Sequence, residues 1–440
     1  MKDIFKEEYQ SKLVSTEDAV KTIRSGERIY IGTCTSIAHG FTRELGRQKD
    51  RFDSLYLFGS NINKPLEILD GTHPGVKLCT YFMGGVERAG LKSGMTDYTS
   101  VHLSQVDRWV HETARVDTAV LEVSPPDEDG YFSFGATGVC CHTYFLEEKR
   151  AGNCRIILEV NPKAPYVFGD CTKIHISEAD LITEHDEEPF AIGDLPVSPE
   201  LETISHFLID EIKDGDVLQF GIGGLANAVG FGLTEKNDLG SYTELIGDSI
   251  MYLMKNGNIT NKRKGYFPGK TVVSFALGSS ELYRFLDRNE DIWYQPMPYV
   301  NNPANIAKND NMVSINNVLS VDLYGQVVAD NIEGRQYSGV GGQIDFVRGA
   351  QMSKGGRSYL CLKSTFENKR TGRGSTIVPY FKPGTAVTTP RSEVQYIVTE
   401  YGCIDLKKLT MKERAGAIIS LAHPDYRPEL TKAAKEMGLL

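Results

Sequence analysis

Short apolar runs of strand length alternate with helical patterns along the whole chain. Most are rich in β-branched and aromatic residues, as buried strands are. They span 28–32, 55–58, 76–82, 118–123 and 155–160 in the first half, and 217–220, 271–276, 318–322, 359–362, 376–379 and 396–400 in the second. Strands that alternate with helices form βαβ units around a parallel sheet, so the pattern predicts an α/β protein.

The alternation breaks at 187–196, a segment with two prolines and a glycine that we interpret as a linker. Beyond it, Ser198 and Pro199 have the composition of a helix start. A chain of 440 residues is also too long for one typical core. We therefore predict an N-terminal α/β domain over 1–190 and a C-terminal α/β domain over 197–440.

The stretch 216–248 combines a strand with a glycine-rich turn. The apolar run 217–220 leads directly into Gly221-Ile222-Gly223-Gly224, and a helix-forming segment follows from Leu225. This arrangement gathers unpaired backbone N–H groups at the positive end of a helix. A second strand-like piece then ends at Glu244, which leaves a carboxylate where parallel sheets place their ligands.

A second glycine-rich turn in the same half repeats the G-x-G-G spacing of the first. It comprises residues 338–343, with Gly341 and Gly342 followed by Gln343. Two loops that can supply backbone amides and one strand-end carboxylate are thus predicted in the C-terminal domain.

These signals allow other interpretations. Gly221, Gly223 and Ala226 fit the dinucleotide fingerprint, and Glu244 falls about twenty residues on, where that fingerprint expects an acid for a ribose hydroxyl. No convincing set of hydride-transfer residues accompanies the motif. The glycines are also compatible with a plain tight turn, and Glu400 is a second strand-end carboxylate that competes with Glu244.

Composition excludes several classes of protein. The net charge is −10 and no basic patch stands out, which argues against a nucleic-acid partner. The N-terminus lacks a signal-peptide pattern and no run approaches a membrane span, so we expect a cytoplasmic protein without a membrane partner. The eight cysteines show no C-x-x-C pair, and we expect neither a metal site nor a disulfide framework.

A series of short motifs resembles the acetyl-CoA hydrolase/transferase family, the class I CoA-transferases. Within it the chain is most similar to the 4-hydroxybutyrate and butyryl-CoA:acetate CoA-transferases. From about Leu201 onward the resemblance covers most of the chain, while 15–31 and 124–133 match more loosely. The motifs lie at 221–229, 242–244, 309–316, 322–327, 338–350, 387–391, 398–402 and 422–425.

The resemblance implies two open parallel-sheet α/β domains of the CoA-transferase type with the active site between them. It implies a ping-pong transfer of CoA between a short-chain acyl-CoA, such as butyryl-CoA or 4-hydroxybutyryl-CoA, and a carboxylate such as acetate. Coenzyme A would be a substrate, with no permanently bound cofactor. An acyl-CoA hydrolase on the same fold is the alternative. A homo-oligomer, such as a homodimer, is the family expectation.

The resemblance also implies roles for individual residues. Glu244 would be the catalytic nucleophile that carries CoA as a thioester. Tyr242 stands where the family usually has His, so what orients Glu244 is left open, as is the acyl specificity. Lys369 would meet a phosphate, Gly342 the thioester arm and Gln343 a substrate carbonyl. The positions expected to bind CoA or substrate are Gly221, Ile222, Gly223, Gly224, Leu225, Leu319, Gly341, Gly342, Gln343 and Lys369.

Overall fold

A computed structural model describes residues 1–193, 196–370 and 372–440. The chain divides into two compact units, Met1–Gly193 with Val272–Val300, and Asp194–Thr271 with Asn301–Leu440. The first unit thus includes the segment Val272–Val300, which the predicted boundary at 190–197 assigns to the C-terminal domain. The predicted domain boundaries stay a prediction, and Asp194 and Leu195 of the predicted linker lie outside the described residues.

The strands of the first half include one for every run predicted there, together with shorter ones. In chain order they are β1 Arg28–Thr33, β2 Leu55–Ser60, β3 Val76–Thr80, β4 Thr96–Tyr98, β5 Thr118–Val123, β6 Tyr131–Ser133, β7 Arg155–Val160, β8 Lys173–His175 and β9 Leu181–Glu184.

The strands of the second half are shorter on average. In chain order they are β10 Val217–Phe220, β11 Gly240–Ser241, β12 Leu245–Ile246, β13 Thr271–Val273, β14 Phe275–Ala276, β15 Ile292–Tyr294, β16 Met312–Asn317, β17 Ser320–Asp322, β18 Val327–Val328, β19 Asn331–Ile332, β20 Arg335–Gln336, β21 Arg357–Cys361, β22 Thr365–Asn368, β23 Gly372–Ser375, β24 Ile377–Val378, β25 Tyr396–Thr399 and β26 Gly402–Asp405.

The α-helices connect these strands. They are α1 Asp3–Lys12, α2 Thr16–Lys21, α3 His39–Arg47, α4 Gly85–Ser93, α5 Val106–Arg108, α6 Gly135–Gly138, α7 His142–Arg150, α8 Pro199–Glu211, α9 Gly224–Gly232, α10 Asp248–Lys255, α11 Ser280–Leu286, α12 Met297–Val300, α13 Pro303–Ile306, α14 Gln343–Met352, α15 Met411–Ser420 and α16 Arg427–Glu436.

The first unit is built on a parallel sheet in the order β4-β3-β2-β1-β5-β7-β9. Every residue of β5 is buried, as expected of a central strand covered on both faces. Its core joins Ile29 and Leu57 of the sheet to Phe41 of α3. The sheet and its helices confirm the α/β pattern predicted for this half.

The second unit has its own sheet, in the order β11-β10-β16-β21-β25-β26. Its ladders are parallel except for the last, in which β26 runs against β25. Helix α14 packs on β16 and β21, while α8 packs on β25 and β26. The predicted α/β class is confirmed in this unit as well.

The second sheet differs from the sequence prediction in one central strand. Strand β16 was not among the predicted runs, yet it pairs with both β10 and β21. The predicted runs at 318–322 and 376–379 instead contribute β17 and β24 to a small separate sheet. Met312 and Val313 form an apolar run of only two residues, so β16 lacks the longer apolar run that marks the predicted strands, although Val313 to Asn316 alternate in polarity as a strand does.

Candidate active site

Strand β10 delivers the first glycine-rich turn to the carboxyl edge of the second sheet. All four residues of β10 are buried, and Gly223 caps the N-terminus of α9. The Gly223 carbonyl accepts the first helical hydrogen bond, from Asn227 N–H at 3.0 Å. The N–H groups of the first turn therefore have no carbonyl partner within the helix, which is the amide-rich site that the sequence predicted.

A cavity of about 180 Å³ opens beside this turn. Gly221, Ile222 and Leu225 line it from the β10 side, and Asn316 and Asn317 line it from the end of β16. Strand β10 has β11 on one side and β16 on the other, so the chain reverses its order across the sheet at this point. Open α/β sheets bind ligands at such a reversal, beyond the carboxyl ends of the strands.

Polar side chains of β10 and β16 bond to one another near the ends of these strands, and one of them, Asn316, lines the cavity. Ser314 Oγ donates to Gln219 Oε1 at 2.7 Å, and Asn316 Nδ2 donates to Ser314 Oγ at 2.9 Å. These bonds fix the amide plane of Asn316, whose side chain is only partly buried. A fixed amide at the cavity wall is suited to hydrogen bonding with a polar ligand.

Glu244 follows β11 at the same edge of the sheet. Strand β11 pairs in parallel with β10, with Leu218 opposite Ser241, so Gly221 and Glu244 are each three residues past a matched pair. Asn301 Nδ2 donates to Glu244 Oε2 at 2.6 Å, and Asn301 is fully buried. This bond holds the carboxylate in one orientation and is satisfied by its ionised form.

The second glycine-rich turn lies directly against the Glu244 carboxylate. A Cβ on Gly342 would be 1.9 Å from Glu244 Oε2 and 2.1 Å from Asn301 Nδ2. The φ of Gly342 is −99°, so its backbone conformation is open to other residues and only space demands glycine. Gly341 precedes it with φ of +67°. Gly342 thus supplies the clearance in which the carboxylate lies.

The surroundings of Glu244 raise its pKa to about 7. Burial is the largest cause, since a low-dielectric environment disfavours the charged form. The Asn301 hydrogen bond lowers the pKa, whereas the negative charge of Asp345 raises it. Near neutral pH the group is therefore poised between its acid and its carboxylate, as catalytic carboxyls often are.

The other predicted binding residues are divided among different elements. Gln343 begins α14, and its Nε2 donates to Thr389 Oγ1 at 2.7 Å. Leu319 lies between β16 and β17, where its backbone N–H donates to Val328 O at 2.9 Å. Lys369 is exposed at the turn of the β22–β23 hairpin. The roles assigned to these residues stay predictions.

The competing carboxylate, Glu400, is held by hydrogen bonds from another loop. Its Oε2 accepts from Ser364 N–H at 3.0 Å and its Oε1 accepts from Ser364 Oγ at 2.5 Å. Both oxygens thus have a donor in the loop that follows β21. The pKa of Glu244 is raised and its Oε2 accepts from Asn301, whereas both oxygens of Glu400 accept from Ser364.

Two residues near Glu244 were missed from the sequence. Asn301 lies in the loop after α12, and Asp345 lies in the first turn of α14. The Asn-Asn-Pro turn at 301–303 is the only local signal for Asn301, and it predicts a helix start rather than a partner for a distant glutamate. Their proximity to Glu244 arises from tertiary structure alone.

The described ranges contain no group of three or more His, Cys, Asp or Glu side chains arranged to hold a metal ion. Across those same ranges, no helix is long and apolar enough to cross a bilayer.

Comparisons with known proteins now define the class. The acetyl-CoA hydrolase/transferase N-terminal domain model matches residues 1–194, and the C-terminal domain model of the same family matches residues 278–434. The chain belongs to the acetyl-CoA hydrolase/transferase family. The family resemblance predicted from the short motifs is confirmed.

Individual relatives match over nearly the full length. The succinyl-CoA:cyclohexane-1-carboxylate CoA transferase of Geobacter metallireducens is 38% identical over 99% of this chain and 97% of its own. The butyryl-CoA:acetate CoA-transferase of Anaerostipes caccae is 36% identical over 98% of each chain. The crystal structure of RipA from Yersinia pestis superposes with a TM-score of 0.91 at 38% identity, covering 99% of this chain and 100% of that one.

Proposed function

We propose that this protein is a CoA-transferase that moves CoA between a short-chain acyl-CoA and a free carboxylate such as acetate. The full-length similarity to CoA-transferases supports the reaction class. The observation that carries the mechanism is the position of Glu244, held by Asn301 and lying against the Gly342 backbone.

The proposed reaction passes through two covalent forms of Glu244. The ionised carboxylate attacks the thioester carbonyl of acyl-CoA, and the C–S bond breaks to give a glutamyl–acyl anhydride and CoA thiolate. The thiolate then attacks the glutamyl carbonyl, which releases the first acid and leaves a glutamyl–CoA thioester. An incoming acid reverses both steps and departs as its own CoA ester.

Residues around Glu244 have matching roles in these steps. Asn301 orients the carboxylate and stabilises its charged form. Backbone amides of the first turn of α9 can stabilise the oxyanion of each tetrahedral intermediate, a contribution of about 3–4 kcal/mol per donor in other enzymes. Partial burial limits the access of water to the anhydride. Lys369, on the exposed hairpin, is proposed to meet a phosphate of CoA.

Two other activities share parts of this site. An acyl-CoA hydrolase would use the same fold with water as the acceptor, and acetyl-CoA hydrolases are among the more distant relatives at 27–28% identity. A dinucleotide enzyme would need the Glu244 carboxylate for a ribose hydroxyl. That carboxylate is instead hydrogen-bonded to Asn301, which favours the CoA reaction.

The decisive experiment traps the covalent intermediate. The protein is incubated with acyl-CoA, treated with borohydride and digested, and Glu244 is expected as the corresponding alcohol with loss of activity. Glu244→Asp should lose about a hundred-fold in rate, because the shorter side chain withdraws the nucleophile. Glu400→Gln is the matched control and should still form the thioester. Labelling at Glu400 instead of Glu244 would contradict the mechanism.

The acceptor is identified in a parallel assay. Labelled acetate should enter the acyl-CoA pool while net thiol release stays low. Rapid thiol release that does not depend on added acid would establish the hydrolase instead. We also propose a cytoplasmic location, which is consistent with the free cysteines of the described chain. We further propose a homo-oligomer, which light scattering of the purified protein would test.

A further inference from the structure

Strand β11, which leads to Glu244, lies at the edge of its sheet and is two residues long. Gly240 N–H donates to Asp216 O, just before β10, at 2.9 Å, and Tyr242 N–H donates to Leu218 O of β10 at 3.2 Å. The backbone groups of Ser241 between them therefore point away from the sheet. The outward N–H and C=O groups of an edge strand normally form hydrogen bonds with solvent or with another strand.

Side chains of the loop 259–270 take the place of that missing strand. Asn261 Oδ1 accepts from Ser241 N–H at 2.9 Å, and Lys264 Nζ donates to Ser241 O at 2.7 Å. Both groups of Ser241 are thus bonded. Asn261 is 2% exposed and Lys264 is 4% exposed, so these bonds are shielded from water. We call Asn261 and Lys264 the β11 clamp.

The clamp is itself fixed in place. Asn261 Nδ2 donates to Thr271 Oγ1 at 3.0 Å, and Lys264 Nζ donates a second bond to Lys270 O at 2.6 Å. The Lys264 ammonium also lies 5.8 Å from the ring centroid of Tyr242, which is fully buried. Each clamp side chain therefore makes one hydrogen bond to Ser241 of β11 and a second to Lys270 or Thr271.

A buried lysine is a costly way to cover a strand edge. Burial lowers the pKa of Lys264 to about 7, since the low-dielectric surroundings disfavour the ammonium. A backbone or neutral side chain would cover the edge without this cost. The buried amine bonds to Ser241, which lies three residues before Glu244 in the chain. The energetic cost of burying Lys264 is therefore spent close to the carboxyl group.

We propose that Asn261 and Lys264 are positioning residues that hold Glu244 at the correct place over Gly342 and beside Asn301. This inference rests on the proposed function, because it assigns a task to the clamp in the attack of Glu244 on the thioester. Tyr242 and Thr243 connect Ser241 to Glu244, and both are buried. Thr243 Oγ1 also donates to Leu245 O at 2.9 Å, so a displacement of Ser241 would displace Glu244 as well. Release of Ser241 would shift the carboxylate relative to its partners.

The test compares two clamp variants with a neighbour. Lys264→Met keeps the length of the side chain without its donors. Asn261→Gly removes the other half of the clamp, and its φ of +55° suits glycine, so the backbone is not strained. Lys262→Met makes the same chemical change at an exposed position of the loop and should match the parent protein. Thioester formation is followed by intact-protein mass spectrometry, and kcat and KM by acetate exchange.

Both clamp variants should lower the rate of thioester formation and kcat by about ten- to a hundred-fold, because small misplacements of a nucleophile are costly. KM for acyl-CoA should stay within about two-fold, since both clamp side chains are buried against β11 and residues 270–271. Unchanged kcat in folded variants, or a change confined to KM, would overturn the proposal. If Lys264→Met does not fold, Asn261→Gly decides. If neither folds, the clamp is a purely structural element and the proposal is wrong.

Failure of this proposal is distinguishable from failure of the proposed function. Should the Glu244→Asp protein keep full activity, the nucleophile itself is misassigned and the clamp has no reaction to serve. Should Glu244→Asp lose activity while both clamp variants match the Lys262→Met control, the mechanism stands and only the clamp is rejected.

Discussion

Opposing influences act on the single carboxyl group of Glu244. Burial and the charge of Asp345 raise its pKa, while the Asn301 amide lowers it, and the outcome is a pKa of about 7. A carboxylate with a higher pKa is a stronger nucleophile, but a smaller fraction of it is ionised at a given pH. The partners of Glu244 thus determine both its reactivity and the pH range in which it reacts.

The pH dependence of thioester formation should follow this ionisation. The nucleophile must be charged, so kcat/KM for acyl-CoA should rise with pH through about 7 and level off above it. Asp345→Asn removes a like charge, lowers the pKa of Glu244 and should move the acidic limb to lower pH. Stopped-flow rates between about pH 5 and 9 at constant ionic strength measure the limb. Asp310→Asn, at an exposed position, serves as the charge-matched control and should leave it in place.

The sequence predicts Glu244 as the nucleophile but gives no indication of the residues that shift its pKa. Glu244 was found because a strand end and a family motif coincide there. Asn301 is 57 positions away, in a loop whose own sequence indicates only a turn and a helix start. A hydrogen bond over that separation depends on how several elements pack. Periodicity and propensity describe neighbours in sequence, so they contain no signal for it.

At the scale of elements, the two glycine-rich turns have different tasks despite their similar spacing. The turn before α9 presents amides at a helix N-terminus, as the sequence predicted. The turn before α14 brings Gly342 against the Glu244 carboxylate, a close approach that the predicted role as an amide donor did not include. The G-x-G-G spacing predicts where the backbone is unobstructed by side chains. Only the tertiary structure shows which group approaches it, and at Gly342 that group is the Glu244 carboxylate.

Gly342→Ala should therefore be severe although it adds one methyl group. The new Cβ would occupy the place of Glu244 Oε2 and of the Asn301 amide, and the carboxylate would have to move. We expect kcat to fall by about a hundred-fold or more in the acetate exchange assay. Gly416→Ala is the control, because its Cβ meets nothing closer than 3.9 Å within helix α15. That change should leave kcat unaltered and keep or slightly raise the melting temperature.

Strand β16 is a central strand of the second sheet that the sequence pattern did not predict. Its polar residues Ser314 and Asn316 bond to Gln219 of β10, so they are satisfied within the sheet, and Asn316 also lines the cavity. A pattern method treats such residues as breaks in an apolar run. The strand was missed because its apolar and polar residues alternate, a pattern that a continuous apolar run does not reveal.

At the scale of the whole molecule, each unit is built on its own sheet, which is parallel in the first unit and parallel except for β26 in the second, where the candidate site follows the carboxyl ends of β10 and β11. In the second unit the opposite, amino edge is tied together by charge. Arg357 at the start of β21 forms an ion pair with Asp216, just before β10, and the intervening strand is β16. Asp216 is nearly fully buried and also accepts from Lys213 N–H at 2.8 Å.

Breaking this pair should separate stability from activity. Arg357→Met leaves Asp216 buried without its cation, which should destabilise the second unit by about 3–5 kcal/mol. Faster hydrogen exchange in peptides of β10 and β16 would report the loss. Arg348→Met removes an exposed pair with Glu393 and should cost at most about 1 kcal/mol. Folded Arg357→Met protein should retain its kcat, and a similar exchange pattern in both variants would contradict the prediction.

The close approach of Glu244 to the backbone of Gly342 also limits protein engineering. Every codon change at position 342 that alters the residue introduces a Cβ, so a randomised library there should return almost only the parental glycine. Asn317 has an exposed side chain at the mouth of the cavity, and diversity placed there leaves the nucleophile undisturbed. Directed evolution of this protein should therefore keep position 342 invariant and place diversity at positions such as Asn317, away from the backbone that Glu244 contacts.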